Sequence, residues 1–373
     1  SIKGGEEQIT SRQVIHSSYF DIYGNAGQVI IENYGYKVGD PTKVTVDGKE
    51  VINPGVLTSV VKQTNREFDS RHNVLKQTVY TYAQYNEQGL LVEDNLMGIK
   101  EVFNDSFDAK GNVLEQTVYN KDADGSILDV QVISNSKYTS GGPQHVEVRT
   151  YKPGEVKVVE LYDPVTGGTE EVVICEKGEL IDLVITDYTY NDRGEVTGSE
   201  SWILDKDISE TFNKDEVSTY IDALIEHKVV THTQHDIFGR AVVSIVETYA
   251  RDTYDEDGDG VTSEKVFVER VETHTSEYDE YGNAAIIDSY YYNKPLVKDA
   301  VGSSHTKWVH TVNTYDYSTV SGKLAALKGN AVHIESETWL VKRDPDTGEI
   351  LTDPETGKVQ YEQIELQVTD VLK

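Results

Sequence analysis

Sulfur is nearly missing from this chain: one cysteine and one methionine occur in 373 residues. Cys175, in "EVVICEKGE", has no second thiol in this sequence, so no internal disulfide is available. Its strand-like apolar neighbours read as a buried thiol rather than a nucleophile. Phenylalanine is also scarce, 7 residues against 24 tyrosines. Tyrosine suits half-wet sheet surfaces, where the ring packs and the hydroxyl stays hydrated. A single large globular core would use more Phe, Leu and Met.

Basic charge is short as well. Lys and Arg number 34 against 65 Asp and Glu, a net charge of −31. That balance excludes partners that need clustered cations, namely nucleic acid and anionic membrane. It favours solubility, repulsion between chains and capture of divalent cations, and it protects strand-rich chains from aggregation. No apolar run approaches the ~18 residues of a membrane-spanning helix, so membrane insertion is not expected. No signal-peptide pattern is visible, and a chain starting at Ser1 is expected to be a processed product or a fragment. GxGxxG, P-loop, HExxH and GxSxG patterns are absent, so the expectation is a protein that is not an enzyme. His232 and His235, in "HTQH", fall on opposite faces of a regular strand and make a poor chelating pair.

What the chain has is a recurring turn. An aromatic, an Asp or Asn, two spacers and a Gly occur at Phe20-Asp21, Tyr85-Asn86, Phe107-Asp108, Tyr190-Asn191 and Tyr278-Asp279. Phe68-Asp69 carries His72 where Gly belongs, and His235-Asp236 replaces the aromatic by histidine. An eighth copy, Tyr315-Asp316, has lengthened spacing before Gly322. The acidic positions are separated by 48, 17, 22, 83, 45, 43 and 37 residues, mostly near multiples of about twenty. "NVLKQTVY" and "NVLEQTVY", 39 residues apart, differ at one position. Asp opens a type I turn by accepting a backbone N–H two residues on, and Gly supplies the left-handed residue that closes a bulged hairpin. Flanking runs such as "QVIIENYGY" and "TKWVHTVNTY" are strand-like.

A second turn class falls between the first: "KDADGS", "DPVTGG", "DEDGDG", "DPDTGE" and "DPETGK". The spacing predicts an all-β fold, an elongated, solenoid-like antiparallel array of β-hairpins running over 1–373. Two turn edges and strands of about 8–12 residues are expected. "GYKVGDPTKVTVDGKEVINPG" (35–55) reads as a small inserted hairpin. "FNKDEVSTYIDALIEHK" (212–228) reads as one short helix over about 214–227, capped by Asn213 and Glu216, with Phe212, Val217, Ile221 and Leu224 on its apolar face.

The turns resemble the YD repeats of the RHS family of bacterial surface and toxin-delivery proteins. That pattern is Tyr-Asp, two variable residues, Gly-Arg or Gly-Asn, then a strand. "EYDEYGNAA", "QHDIFGRAV", "SFDAKGNVL" and "YFDIYGNAG" carry it, in scattered copies over about half the chain. The resemblance implies a spiral of β-hairpins, either closing into a hollow shell or extending along an axis, at an extracellular or cell-surface location.

For metal binding, "YDEDGDGVTSEK" is the leading candidate. Asp255, Asp257 and Asp259 take the first, third and fifth places of a D-x-D-x-D-G loop, and the Val261 carbonyl would follow. Val266 stands at the twelfth place, which excludes a full EF-hand; Ser263 or Glu264 would complete the set. "YNKDADGSILD", with Asn120, Asp122 and Asp124, is a weaker copy. Ca²⁺ is the cofactor this spacing suits. Trp202, Trp308 and Trp339 offer an aromatic sugar platform or, in strand-like runs, ordinary packing. The function expected is structural: a β-repeat segment of an extracellular filament, stalk or coat. It would self-associate through strands such as "QITSRQVIHSSYF" and "KVQYEQIELQVTDVL" or end to end. The alternatives are a glycan-binding adhesin module and a shell fragment of a toxin-delivery protein.

Overall fold

A computed structural model describes residues 2–3, 6–7, 9, 11–37, 39–46, 49–254, 262–293, 305–345, 347, 349–354, 356 and 358–370. The fold is all-β and antiparallel, with one α-helix among the described residues. The chain divides into two compact units, Ser1–Ile225 and Glu226–Lys373. No helix among the described residues is long and apolar enough to cross a membrane.

The first unit opens with a two-stranded pair, β1 (Ile2–Lys3) and β2 (Glu6–Glu7). A meander follows: β3 (Arg12–Phe20), β4 (Ala26–Gly35), then β7 (Val56–Phe68), β8 (Val74–Tyr82), β9 (Leu96–Phe107), β10 (Val113–Lys121), β11 (Ile127–Tyr138), β12 (Pro143–Asp163), β13 (Gly168–Tyr190) and β14 (Val196–Leu204). Each strand pairs with the next in this series. Between β4 and β7 the expected insert forms a separate hairpin, β5 (Lys43–Val46) with β6 (Lys49–Ile52). The second unit continues the same way through β15 (Leu224–His235), β16 (Ala241–Tyr254), β17 (Thr262–Tyr278), β18 (Ala284–Tyr292), β19 (Lys307–Thr314), β20 (His333–Val341) and β21 (Tyr361–Asp370).

One turn builds most of these hairpins. In seven copies the Asp or Asn Oδ1 accepts the backbone N–H groups two and four residues on, at 2.7–3.0 Å. The residue three on is left-handed, φ 75–86° for the glycines and 68° for His72. His72 therefore holds the Gly geometry at the strain cost of a side chain. The residue after Gly closes the loop chemically. Asn25, Asn73, Asn112 and Asn283 donate Nδ2 to the turn carboxylate, and Arg240 donates Nε to Asp236 at 2.7 Å. Where the turn opens with Asn191, the polarity reverses and Asn191 donates to Glu195 at 2.6 Å. The Asp122 turn, from the acidic class, repeats the same backbone pattern, with Gly125 at φ 87°.

Four hairpins also share a double bulge. Arg66 and Leu75, Asp105 and Leu114, Thr233 and Val242, and Ser276 and Ala285 drop out of the ladder, each three residues before and six after the turn Asp. In these four hairpins and in the bulge-free Asp21 hairpin, the carbonyl five residues after the turn Asp takes a side-chain donor from elsewhere in the chain. Asn65 reaches Ala26, Asn104 reaches Val74, Asn135 and Tyr138 reach Val113, Tyr278 reaches Ala241, and Asn313 and Tyr315 reach Ala284. Buried carbonyls need partners, so these Asn and Tyr residues stitch each hairpin to the rest of the sheet.

β12 and β13 run to 21 and 23 residues, far beyond the expected length. Their hairpin packs against β7 and β9–β11. Cys175 is buried there against Tyr119 and Val130, as the sequence indicated. Beneath the hairpin runs a buried polar chain. Arg66 donates to Glu170 at 2.9 Å and to Thr78 at 2.8 Å, Thr78 donates to Glu101 at 2.7 Å, and Lys121 donates to Glu101 at 3.1 Å.

The expected helix at about 214–227 is not formed. Two 3-10 turns, Val217–Thr219 and Ile221–Ala223, take its place, and Leu224, His227 and Lys228 enter β15. Thr219 Oγ1 accepts the Asn213 N–H, the bond that a capping box would give to Glu216. Tyr220, Ile221 and Leu224 instead pack with Phe212 on Trp202, Leu183 and Leu204, so burial outweighs helical periodicity. The α-helix is elsewhere, α1 at Val320–Leu327, with Thr319 as N-cap accepting the Gly322 N–H at 3.0 Å and Gly329 left-handed after its end. Gly322 therefore lies inside a helix, and Tyr315-Asp316 is not an eighth copy of the hairpin turn.

The turn carboxyls tie stability to acid. The side-chain bonds from Asn73 and Asn112, with the turn amides, hold Asp69 and Asp108 below the ordinary 3.8. Their contribution is complete above that unfolded value and is lost as pH falls through the lower folded one. Asp108→Asn keeps the amide-accepting oxygen, as Asn191 does, but not the charge, so it is expected to unfold with a flatter acid limb and to lose at neutral pH the part that the charge contributes. Asp108→Ala is expected to lower the melting temperature at neutral pH. Thermal unfolding monitored from pH 2 to 7 checks both; an unchanged acid limb in Asp108→Asn refutes the assignment.

Candidate functional site

On one edge of each unit, the Asp21, Asp69 and Asp108 turns and the Asp236 and Asp279 turns bond to one another. His72 Nδ1 meets Asn25 Oδ1 at 3.0 Å, joining the Asp21 and Asp69 turns, and Arg71 donates to the Asp108 carbonyl at 3.0 Å. In the second unit Arg240 lies between the Phe238 and Tyr278 rings, 4.5 Å from each, and donates to the Asp279 carbonyl at 3.1 Å. Tyr317 stacks on Tyr281 at 4.1 Å and donates its hydroxyl to Asp279, so burial and that carboxylate drive its pKa up. Asn86 departs from this pattern. Its turn joins β8 to β9 and so lies at the opposite edge.

Of the two acidic loops expected to hold a metal, the structure describes one. Asp255, Asp257, Asp259 and Val261 lie outside the described residues. Asp122 and Asp124 come together, both accepting the Ser126 N–H, at 2.9 and 2.8 Å. Asn120 does not join them; its Nδ2 crosses to Asp129 on β11 at 2.6 Å. Among the described residues no three His, Cys, Asp or Glu side chains are grouped to hold a metal ion.

The three tryptophans part company. Trp202 is 1% exposed, in the core of the first unit. Trp308 and Trp339 sit opposite each other on β19 and β20, their rings stacked 5.8 Å apart, with Tyr290 stacked beyond Trp308 at 6.4 Å. Trp308 Nε1 donates to Asp288 at 3.0 Å, and His310 meets the same oxygen at 2.8 Å. The three rings pack in a row across neighbouring strands. His232 and His235 also differ from expectation. Thr233 bulges out between them, the strand phase slips by one, and the rings meet at 6.0 Å. Burial, then the neighbouring His235, lowers the His232 pKa.

Free aromatic faces occur elsewhere. A cleft of ≈ 860 Å³ in the first unit lies between the Asp21 and Asp69 turns and the tip of the β12–β13 hairpin. Tyr19, Phe20, Tyr23, Phe68 and Tyr162 line it, and only Tyr23 has a ring neighbour among the described residues, His72 at 6.3 Å. Tyr23 is 72%, Phe20 60% and Tyr162 52% exposed. Tyr19 stands at φ 55°, an unusual conformation for a bulky residue, opposite Gly27. A Cβ on Gly27 would lie 2.3 Å from Pro164 Cβ and 2.7 Å from the Tyr19 carbonyl, so only glycine lets the hairpin tip dock. No sequence signal marked this cleft: its walls come from positions 19–27, 65–72 and 162–164, brought together by an over-long hairpin.

Gly27→Ala is expected to lift the tip and destabilise the first unit by about 1–3 kcal/mol, the usual cost of overpacking. Urea unfolding measures the cost, and faster hydrogen exchange over 160–170 locates it. Unchanged exchange there would show that the tip is held by other contacts.

No protein-family model matches this chain, and no curated protein matches it. Among solved structures it is weakly similar to TcdB2-TccC3, at 12% identity and TM-score 0.13 over 90% of this chain and 22% of that one. The TcdB2-TccC3-TEV structure gives 13% identity and TM-score 0.13 over 91% and 22%. TcdB2-TccC3 without its hypervariable C-terminal region gives 13% and 0.13 over 90% and 21%. This chain spans about a fifth of those chains, and a likeness at that TM-score carries no argument.

Proposed function

We propose that this chain is a structural β-hairpin repeat segment of an extracellular bacterial assembly, a filament, stalk, coat or shell. The observation that carries the reading is the bonded turn edge. Turns at Asp21, Asp69 and Asp108, and again at Asp236 and Asp279, are tied to their neighbours by His72, Arg71 and Arg240. Such ties make each hairpin depend on the next, the mechanical logic of a repeat array. An elongated, solenoid-like course of the array belongs to this proposal. So does self-association, supported by β21, where Ile364, Leu366 and Val368 alternate along one face and are each more than half exposed. Apolar rows of that kind are ready surfaces for another chain. Analytical ultracentrifugation and negative-stain microscopy at high concentration are expected to show oligomers or fibres, dispersed by Leu366→Glu with Val368→Glu. A strictly monomeric wild-type chain, with and without calcium, overturns this part.

Calcium binding at Asp255, Asp257 and Asp259 belongs to the same proposal and rests on their sequence spacing. CaCl₂ is expected to raise the melting temperature of chelator-treated protein and to give a titration heat, both lost in Asp257→Asn. No heat and no thermal shift in the wild type rule the site out.

A further inference from the structure

We infer that the cleft between the first two turns and the β12–β13 tip is a binding site for a neutral saccharide. The inference is independent of assembly and rests on two properties of the walls. The first is ring chemistry. Phe20, Tyr23 and Tyr162 are all more than half exposed around one concave volume, while Trp308 and Trp339 are stacked on each other. Exposed tyrosine faces beside hydroxyls are amphipathic, apolar toward C–H bonds and polar at the tip, as a pyranose is. The Tyr19, Tyr23 and Tyr162 hydroxyls have no protein partner among the described residues, so they are available to sugar hydroxyls.

The second property is that every formal charge at the cleft is already committed. Arg66 is 1% exposed and bonded to Glu170, Thr78 and the Tyr162 carbonyl. Glu67 pairs with Lys76 at 2.6 Å. Asp21 and Asp69 each accept two turn amides and an asparagine side chain. Asn25 donates Nδ2 to Asp21, so its Oδ1 is the acceptor and His72 Nδ1 is the donor. With Nδ1 as donor, Nε2 of the unprotonated ring is an acceptor at the cleft. Among the described residues that line the cleft no cation is free to take a phosphate, sulfate or sialic acid, and the chain's net charge of −31 repels polyanions. A neutral polyol fits these walls; an anionic glycan does not.

The test is isothermal titration of the full chain with maltoheptaose, cellohexaose, xylohexaose and chitohexaose, with a heparin hexasaccharide in parallel. Binding of at least one neutral oligosaccharide is expected, weakened roughly tenfold or more in Tyr23→Ala and in Tyr162→Ala. Both side chains are exposed, and circular dichroism confirms that each variant is folded. Tyr281→Ala, in the second unit, is expected to bind as the wild type does. Three outcomes overturn the inference: no neutral oligosaccharide binds, binding survives both cleft variants, or the heparin fragment binds in preference.

Discussion

Everything in this molecule rests on a carboxylate or amide oxygen that accepts two backbone amides across a five-residue turn. An Asp or Asn at the first place satisfies the N–H groups two and four residues on, and a left-handed residue between them lets the chain reverse. Buried or half-buried amides need partners, and a turn that supplies them from one side chain needs no help from distant residues. The hairpin can then be repeated, because each copy is locally complete. His72 shows how strongly the side-chain oxygen dominates, since the turn persists with a non-glycine residue in the left-handed place.

Repetition alone would give a stack of independent hairpins. What joins them is a second set of bonds, from side chains to the carbonyl that follows each turn. Bulges at fixed distances from the turn break the ladder, and Asn or Tyr side chains from another strand take the carbonyl exposed nearby. The same bulges turn Arg66 inward, where it anchors the tip of the long hairpin. The side-chain bonds thus connect copies along the sheet, and the bulged Arg66 holds a second layer against it. The cleft is a by-product of that second layer, and it keeps its aromatic faces open because the tip meets the sheet at Gly27 and Arg66 rather than along the rings.

The turns, the small hairpin at 35–55, the buried Cys175 and the all-β class could be read from residue order, because each depends on neighbours within a few positions. The helix expected near 214–227 could not be judged that way. Its apolar spacing is genuine, but Trp202 and Leu204 draw Tyr220, Ile221 and Leu224 into a core that a regular helix would not fill. The helix at Val320–Leu327 did carry a signal, a Thr cap, an Ala-Ala-Leu run and a terminal Gly, hidden behind Asp316 when that residue is taken for another turn. Asn120, Asp122 and Asp124 share a loop in sequence, yet the strand pleat sends Asn120 across to Asp129.

Local order alone determined where this chain reverses and why it is built of strands: Asp, Gly and Asn at set intervals satisfy their own backbone. Tertiary structure alone decided what a bulged residue meets: Arg66, Asp105, Thr233 and Ser276 share a place in the ladder, and the long hairpin gives Arg66 its partners, Glu170 and the Tyr162 carbonyl. It also decided which aromatic rings face one another and which stay open. Tyr23 and Trp308 are equally prominent as letters. Pairing across strands covers the Trp308 ring with Trp339, whereas Tyr23 stands on a turn with no strand beside it to do the same.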